Sequence, residues 1–233
     1  MAIDGIMLSN IKFNLENKII NARINKIYQP KKTLLTFTLR QPGRSLELLA
    51  SIHPQRPRIH LTELEFENPQ KPPTFCMLLR KYLTNGIIKK IEQPDFERIL
   101  NITIHKNNTD YILILEIMGR YSNAVLINED GTVLDAMKRI NEDVSSERHL
   151  YPGIKYTYPP KQDKLNPLEV NKEDFFNKIP EQLDKYCFRA ILNNFRGIGP
   201  EMSIEIINRA GIDYEKPYSD LNEDQKLKIW DSF

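Results

Sequence analysis

Leu8, Ile11, Leu15 and Ile19 recur at helical spacing and predict an amphipathic first helix, with Asp4 or Ser9 near its start and Lys12, Asn14 and Lys18 on its polar face. Four stretches of strand character follow, Ala22–Gln29, Thr33–Arg40, Ser45–Ser51 and Arg58–Thr62. They are punctuated by Pro30-Lys-Lys, Gln41-Pro-Gly43 and His53-Pro-Gln-Arg-Pro57, the pattern of an antiparallel sheet built from hairpins. After a loop closed by Pro69, Pro72 and Pro73, the apolar spacing of Phe75–Leu83 predicts a second helix ended by Asn85-Gly86. Five more strands are expected at Ile87–Gln93, Arg98–His105, Asp110–Ile117, Asn123–Ile127 and Val133–Lys138, with Glu129-Asp-Gly131 as a hairpin turn. Prolines 152, 159, 160 and 167 mark an extended connector, and beyond Asn171 the pattern turns helical. The expectation is therefore an α+β domain over residues 1–170 and a small all-α domain over residues 171–233.

One junction in this pattern carries chemistry. The run Tyr111-Ile-Leu-Ile-Leu115 reads as a strand covered on both faces, yet it ends in Glu116-Ile117-Met118-Gly119-Arg120. Two readings stand: a Glu116–Arg120 ion pair tidying a strand end, or the start of a site where the sheet opens. If the strands at 98–105 and 110–117 pair antiparallel, Glu97-Arg98 meets the Glu116–Arg120 motif at one end. Arg80 and Lys81 would add positive charge from the helix, giving a platform for RNA phosphates with guanidinium planes able to stack on bases. The structural alternative is an ion-pair lattice at the sheet edge.

The segment Ile191–Ile207 contains Arg196-Gly197-Ile198-Gly199-Pro200, a helix-hairpin-helix pattern. One helix ends at a glycine, an apolar residue pins the turn, and a second glycine leads to a proline suited to the first helical position. Backbone N–H groups at Gly197, Ile198 and Gly199 are candidates for a nucleic-acid phosphate. A helical pair packed for structure alone fits the same residues.

Composition narrows the classes. With 233 residues, 40% hydrophobic and 27% charged, the chain is ordinary globular material. The net charge of +2 divides unevenly: from Lys172 onward 9 Lys/Arg face 12 Asp/Glu, so the tail is acidic and the preceding part basic. That permits nucleic-acid contact without proving it. Cys76 and Cys187 indicate neither a disulfide framework nor a thiolate metal site, which suits a reducing cytoplasm. No signal-like N-terminus or membrane-length apolar stretch is read. His53, His60, His105 and His149 lack metal-site spacing, and no nucleophile elbow, P-loop or dinucleotide fingerprint is present, so no catalytic residues, cofactor or metal are expected.

A set of motifs in order points to a family. Met1-Ala-Ile-Asp4-Gly5, Ile27-Tyr-Gln29-Pro30, His60-Leu-Thr62, Pro73-x-Phe75-Cys76-Met77-Leu-Leu-Arg80-Lys81, Arg98-Ile99, Glu116-Ile-Met-Gly119-Arg120 and Lys164-Leu-Asn166-Pro167 resemble the N-terminal part of the RqcH/NEMF family, also named fibronectin-binding protein A. The resemblance implies an antiparallel two-sheet NFACT-N domain similar to the N-terminal domain of formamidopyrimidine-DNA glycosylases, followed by the helix-hairpin-helix. It covers nearly the whole chain, while the family's coiled coil and NFACT-R module are absent from it.

The function implied is cytoplasmic ribosome quality control. Such a factor recognises a large ribosomal subunit obstructed by peptidyl-tRNA and recruits tRNA, alanine-type in bacteria, so that the ribosome itself adds a C-terminal tail without mRNA. The family's tRNA-engaging residues fall on Asp4, Glu97, Arg98, Glu116, Met118, Gly119 and Arg120, with Arg80 and Lys81 nearby; Glu97 stands where the family has aspartate. Two other readings follow from the same resemblance. One is a fibronectin-binding surface adhesin, matching the older family name. The other is base excision, which needs an N-terminal proline where this chain begins Met1-Ala2-Ile3-Asp4.

Overall fold

The computed structural model describes residues 3–160, 162–180 and 185–233, so Met1 and Ala2 of the N-terminal motif lie outside the described residues. The chain divides into two compact units. The first is built mainly from Met7–Pro94 and Arg98–Pro159; the second takes Pro160–Phe233 together with Asp4–Ile6 and Asp95–Glu97. The domain boundary expected at Asn171 thus falls inside the second unit, which opens at Pro160.

The first unit is α+β. Helix α1 (Gly5–Ile19) precedes strands β1 (Arg23–Lys31), β2 (Leu34–Gln41), β3 (Arg44–Ser51) and β4 (Arg58–Thr62). Helix α2 (Thr74–Leu83) leads into β5 (Ile87–Glu92), β6 (Ile99–Lys106), β7 (Thr109–Glu116), β8 (Asn123–Asn128) and β9 (Val133–Ala136). Every expected strand is present with its ends moved by no more than two residues. The expected two sheets are instead one antiparallel nine-stranded sheet of order β4-β3-β2-β1-β5-β6-β7-β8-β9. Its two halves meet at the single pair Arg23↔Ile87, where β1 and β5 touch briefly before diverging. The β6–β7 hairpin turns on Asn107 and Asn108, both at positive φ (52° and 59°), the conformation a two-residue turn needs to match strand twist.

Period-two alternation explains the apolar run of β7. Leu113 and Leu115 enter the main core with Leu8, Leu15 and Ile19 of α1 and Cys76, Leu79 and Leu83 of α2. Ile114 faces the other way, into a smaller cluster with Ile99, Val125, Val133 and Leu150. Leu150 belongs to the irregular segment 138–159, so this segment covers the second face of the sheet. Glu116 shares the parity of Ile114 and points under that cover.

The second unit is helical, with α3 (Lys172–Lys178), α4 (Cys187–Asn194), α5 (Pro200–Arg209) and α6 (Glu223–Ser232) packed around Phe175, Ile191, Phe195, Ile207 and Ile229. Phe175 stacks on Phe195 with ring centroids 4.9 Å apart. The Asn171 side chain caps α3 by accepting from the Asp174 N–H at 2.9 Å, and Asn222 with Gln225 forms a capping box on α6. Between α4 and α5 the chain reverses at Gly197, at φ +70°, and Pro200 occupies the first turn of α5.

Candidate functional site

The ends of β6 and β7 form the candidate site of the first unit. Ile99 pairs with Glu116, and the Ile117 N–H donates to the Arg98 carbonyl at 2.8 Å, so the two charged motifs do reach the same end of this hairpin. The Glu116–Arg120 ion pair, one of the two readings of this junction, does not form. Glu116 is 0% exposed and is held by Arg148, whose two terminal nitrogens donate to its carboxylate oxygens at 2.5 and 3.2 Å. The Tyr156 hydroxyl donates to the same carboxylate at 2.9 Å. Arg148 also donates through Nε to the Thr157 carbonyl at 2.8 Å and lies over the Tyr156 ring. Burial works against the Arg148 charge, but Glu116 outweighs it and leaves the guanidinium pKa above its ordinary value. Burial, reinforced by the Glu116 charge, pushes the Tyr156 hydroxyl up as well. A buried carboxylate requires this kind of bidentate, charge-assisted partner.

Arg120 goes elsewhere because the chain leaves the sheet before it. The Met118 N–H donates to the Ser122 hydroxyl at 2.8 Å, and Gly119, at φ +58°, turns the backbone into a short 3₁₀ turn over Gly119–Tyr121. Arg120 then projects outward, its guanidinium 4.6 Å from the Tyr121 ring centroid and hydrogen-bonded to the Tyr121 hydroxyl. Both side chains are exposed. The half-buried Arg98 side chain has no hydrogen bond or ion pair among the described residues. On α2, Arg80 is tied to β1, with Nε donating to the Ile27 carbonyl at 2.7 Å and the guanidinium over Tyr28, while Lys81 is exposed beside Tyr82. Arg80 is therefore a brace and Lys81 an available charge.

The remaining predicted residues belong to the second unit. Glu97 pairs with Arg196: its Oε1 lies 3.5 Å from Nε, near enough for attraction but without hydrogen-bond geometry. Arg196 also forms an ion pair with the Asp95 carboxylate and donates to the Asp95 and Lys164 carbonyls at 3.3 and 3.1 Å. Asp95 and Phe96 both adopt left-handed conformations, φ 52° and 55°, which non-glycine residues rarely hold. Ile198 is core. The Gly199 N–H, expected to be open to a phosphate, donates to the Asp4 carboxylate at 3.1 Å. The Gly5 N–H donates to the Gly197 carbonyl at 2.7 Å, so the start of α1 lies against the turn. The approach is close enough that a Cβ on Gly197 would stand 2.5 Å from Phe96 and one on Gly199 2.9 Å from the Asp4 carboxylate.

Four side chains that shape this geometry, Arg148, Tyr156, Arg196 and Tyr121, were not singled out from the sequence. Tyr121 follows Arg120 directly and Arg196 precedes the glycine turn, so adjacency pointed to both. Arg148 and Tyr156 lie in an irregular segment with no periodicity to mark them.

Residues 4–233 match the family described as NFACT N-terminal and middle domains. The chain belongs to the NFACT family. Among NFACT relatives, it is 38% identical over 221 residues to the Rqc2 homolog RqcH of Bacillus subtilis, covering 91% of this chain and 38% of that protein. It therefore spans about two fifths of that relative's length. The crystal structure of the N-terminal domain of fibronectin-binding protein PavA from Streptococcus pneumoniae superposes with a TM-score of 0.80 at 36% identity, covering 88% of this chain and 78% of that one. The fibrinogen binding protein from Staphylococcus aureus superposes with a TM-score of 0.82 at 29% identity, covering 100% and 83%. A match to the MutM (Fpg) protein of Thermus thermophilus, at 11% identity and a TM-score of 0.44, is too remote to bear on this NFACT chain. Among the described residues, no helix is long and apolar enough to cross a membrane.

Proposed function

We propose that this chain is the tRNA-engaging N-terminal part of a ribosome quality-control factor, acting on the large ribosomal subunit obstructed by peptidyl-tRNA and supporting mRNA-independent alanine tailing. The observation that carries this reading is the 38% identity to RqcH across 91% of the chain. The protein is read as a binding and recruiting factor that leaves peptide-bond chemistry to the ribosome. In this reading the cations divide from the acids. Arg98, Arg120 and Lys81 meet RNA phosphates, and the Arg120–Tyr121 pair offers a plane for a base. Glu116 acts through Arg148, and Asp4 acts through Gly199, so both shape the frame rather than contact RNA. The α4–turn–α5 region is read as a helix-hairpin-helix.

The test is tRNA binding by the 233-residue chain and its Arg98→Ala/Arg120→Ala double variant. Loss of two phosphate contacts is expected to weaken binding and to flatten its salt dependence, with the melting temperature unchanged. Unaltered affinity in the folded double variant refutes the assignment. The adhesin reading is favoured by one observation, the fibronectin-binding name of the PavA neighbour. It requires saturable fibronectin binding that survives physiological salt; binding that vanishes as salt rises is only electrostatic.

A further inference from the structure

We propose a second nucleotide-binding site, in the second unit, that takes one exposed nucleotide of single-stranded RNA. An open cleft of about 290 Å³ is lined by Lys185, Tyr186, Arg189 and Pro217. Its walls are fixed by backbone: Cys187 N–H donates to the Lys216 carbonyl at 2.8 Å and Tyr218 N–H to the Lys185 carbonyl at 3.0 Å. Tyr186 and Pro217 also face each other as an isolated antiparallel bridge. The cleft is therefore preorganised rather than assembled on binding.

Charge pairing divides the cations of this unit. Lys178, Arg196, Arg209, Lys226 and Lys228 each hold a carboxylate of their own. Lys185 and Arg189, like Lys172 and Lys216, have no ion-paired carboxylate among the described residues, although the chain from Lys172 onward carries more acids than bases. Arg189 is instead propped against the Phe188 ring, 5.4 Å from its centroid. Between these cations Tyr186 is 47% exposed, backed by Phe188 at a ring separation of 6.2 Å and a 29° tilt. Two cations with no carboxylate among the described residues call for an anion; an exposed aromatic face beside a proline calls for a flat partner. A phosphate joined to a base satisfies both, whereas an acidic peptide uses the cations and leaves the ring idle. The inference rests on the RNA reading above and adds a site distinct from Arg98 and Arg120.

The experiment is fluorescence anisotropy of a labelled single-stranded oligouridylate of about six nucleotides, within the usual span of such sites, on the 233-residue chain. Tyr186→Leu should weaken binding roughly tenfold, the magnitude of one lost base stack, while Tyr186→Phe keeps it. Lys185→Gln/Arg189→Gln should weaken it and make it less salt-dependent. Unchanged affinity in Tyr186→Leu overturns the site. So does equal competition by a polyglutamate peptide, which would assign the cleft to acidic protein. If Arg98→Ala/Arg120→Ala loses tRNA while Tyr186→Leu leaves the oligonucleotide untouched, this inference fails and the broader reading stands.

Discussion

Replacing Arg148 by alanine strips the partner from a carboxylate that water does not reach. Glu116 has 0% of its side chain exposed and Arg148 only 11%, so solvent offers little substitute for the lost pair. Breaking one side of a buried ion pair costs about 3–5 kcal/mol. The Tyr156 hydroxyl, 2.9 Å from the same carboxylate, remains as a donor. That places the expected loss near the lower end, about 3 kcal/mol, a large share of the roughly 5–15 kcal/mol that stabilises a typical domain. Urea unfolding followed by far-ultraviolet circular dichroism reads the strands of the first unit, while Trp230 fluorescence reports the second unit separately. With a urea slope of about 2 kcal/mol per molar, the midpoint of the first transition should fall by about 1.5 M. The paired change Glu116→Gln/Arg148→Met removes both charges and should recover most of the loss, because no unpaired ion is left behind. It should also retain tRNA affinity, since Glu116 is assigned no RNA contact. A single-variant loss below about 1 kcal/mol would mean that the pair behaves like a screened surface bridge, and the argument from burial would be refuted.

Other consequences are simpler to test. Gly197→Ala forces a left-handed φ of +70° on a residue with a Cβ and drives that atom to within 2.5 Å of Phe96, so the Trp230-monitored transition should fall to lower temperature while the strand signal changes less. Burial pushes the Cys187 thiol up to about 11 from 9.0, so alkylation at pH 8 should spare it in the folded chain and label it on unfolding. The same shift makes the folded state hold its proton longer than the unfolded chain. Its contribution to stability is complete below pH 9 and is lost as pH rises through about 11, so a denaturation midpoint that rises across this window contradicts the assignment.

Much of the fold was legible because local signals and burial agreed. The alternation in β7, the turn residues between strands and the Gly–Pro helix start at Gly199-Pro200 each express a local preference that the packing keeps. The partners of the charged residues were not legible. Glu116 and Arg120 are close in sequence, but the strand ends between them and Gly119 sends them apart. The actual partner, Arg148, is 32 residues away in a segment without regular structure, where no spacing rule applies. Glu97 similarly pairs with Arg196, and Asp4 with Gly199, across separations that only the folded chain sets. The single sheet was hidden for another reason: one residue pair, Arg23↔Ile87, decides whether two hairpin groups count as separate.

The hydrogen bond from Gly199 to Asp4 joins residues 195 apart, and it bears on how the protein is made. During synthesis the N-terminal segment emerges first but cannot take its final place until the glycine turn has left the exit tunnel. Most of the sheet can form earlier, because its strand pairs are largely between sequence neighbours. The second unit draws on three stretches of chain, so it cannot be released whole by one proteolytic cut, nor completed before most of the polypeptide is available. A pause in translation just after Gly199 would hold Arg196 and Gly199 inside the ribosome, out of reach of Asp95 and Asp4.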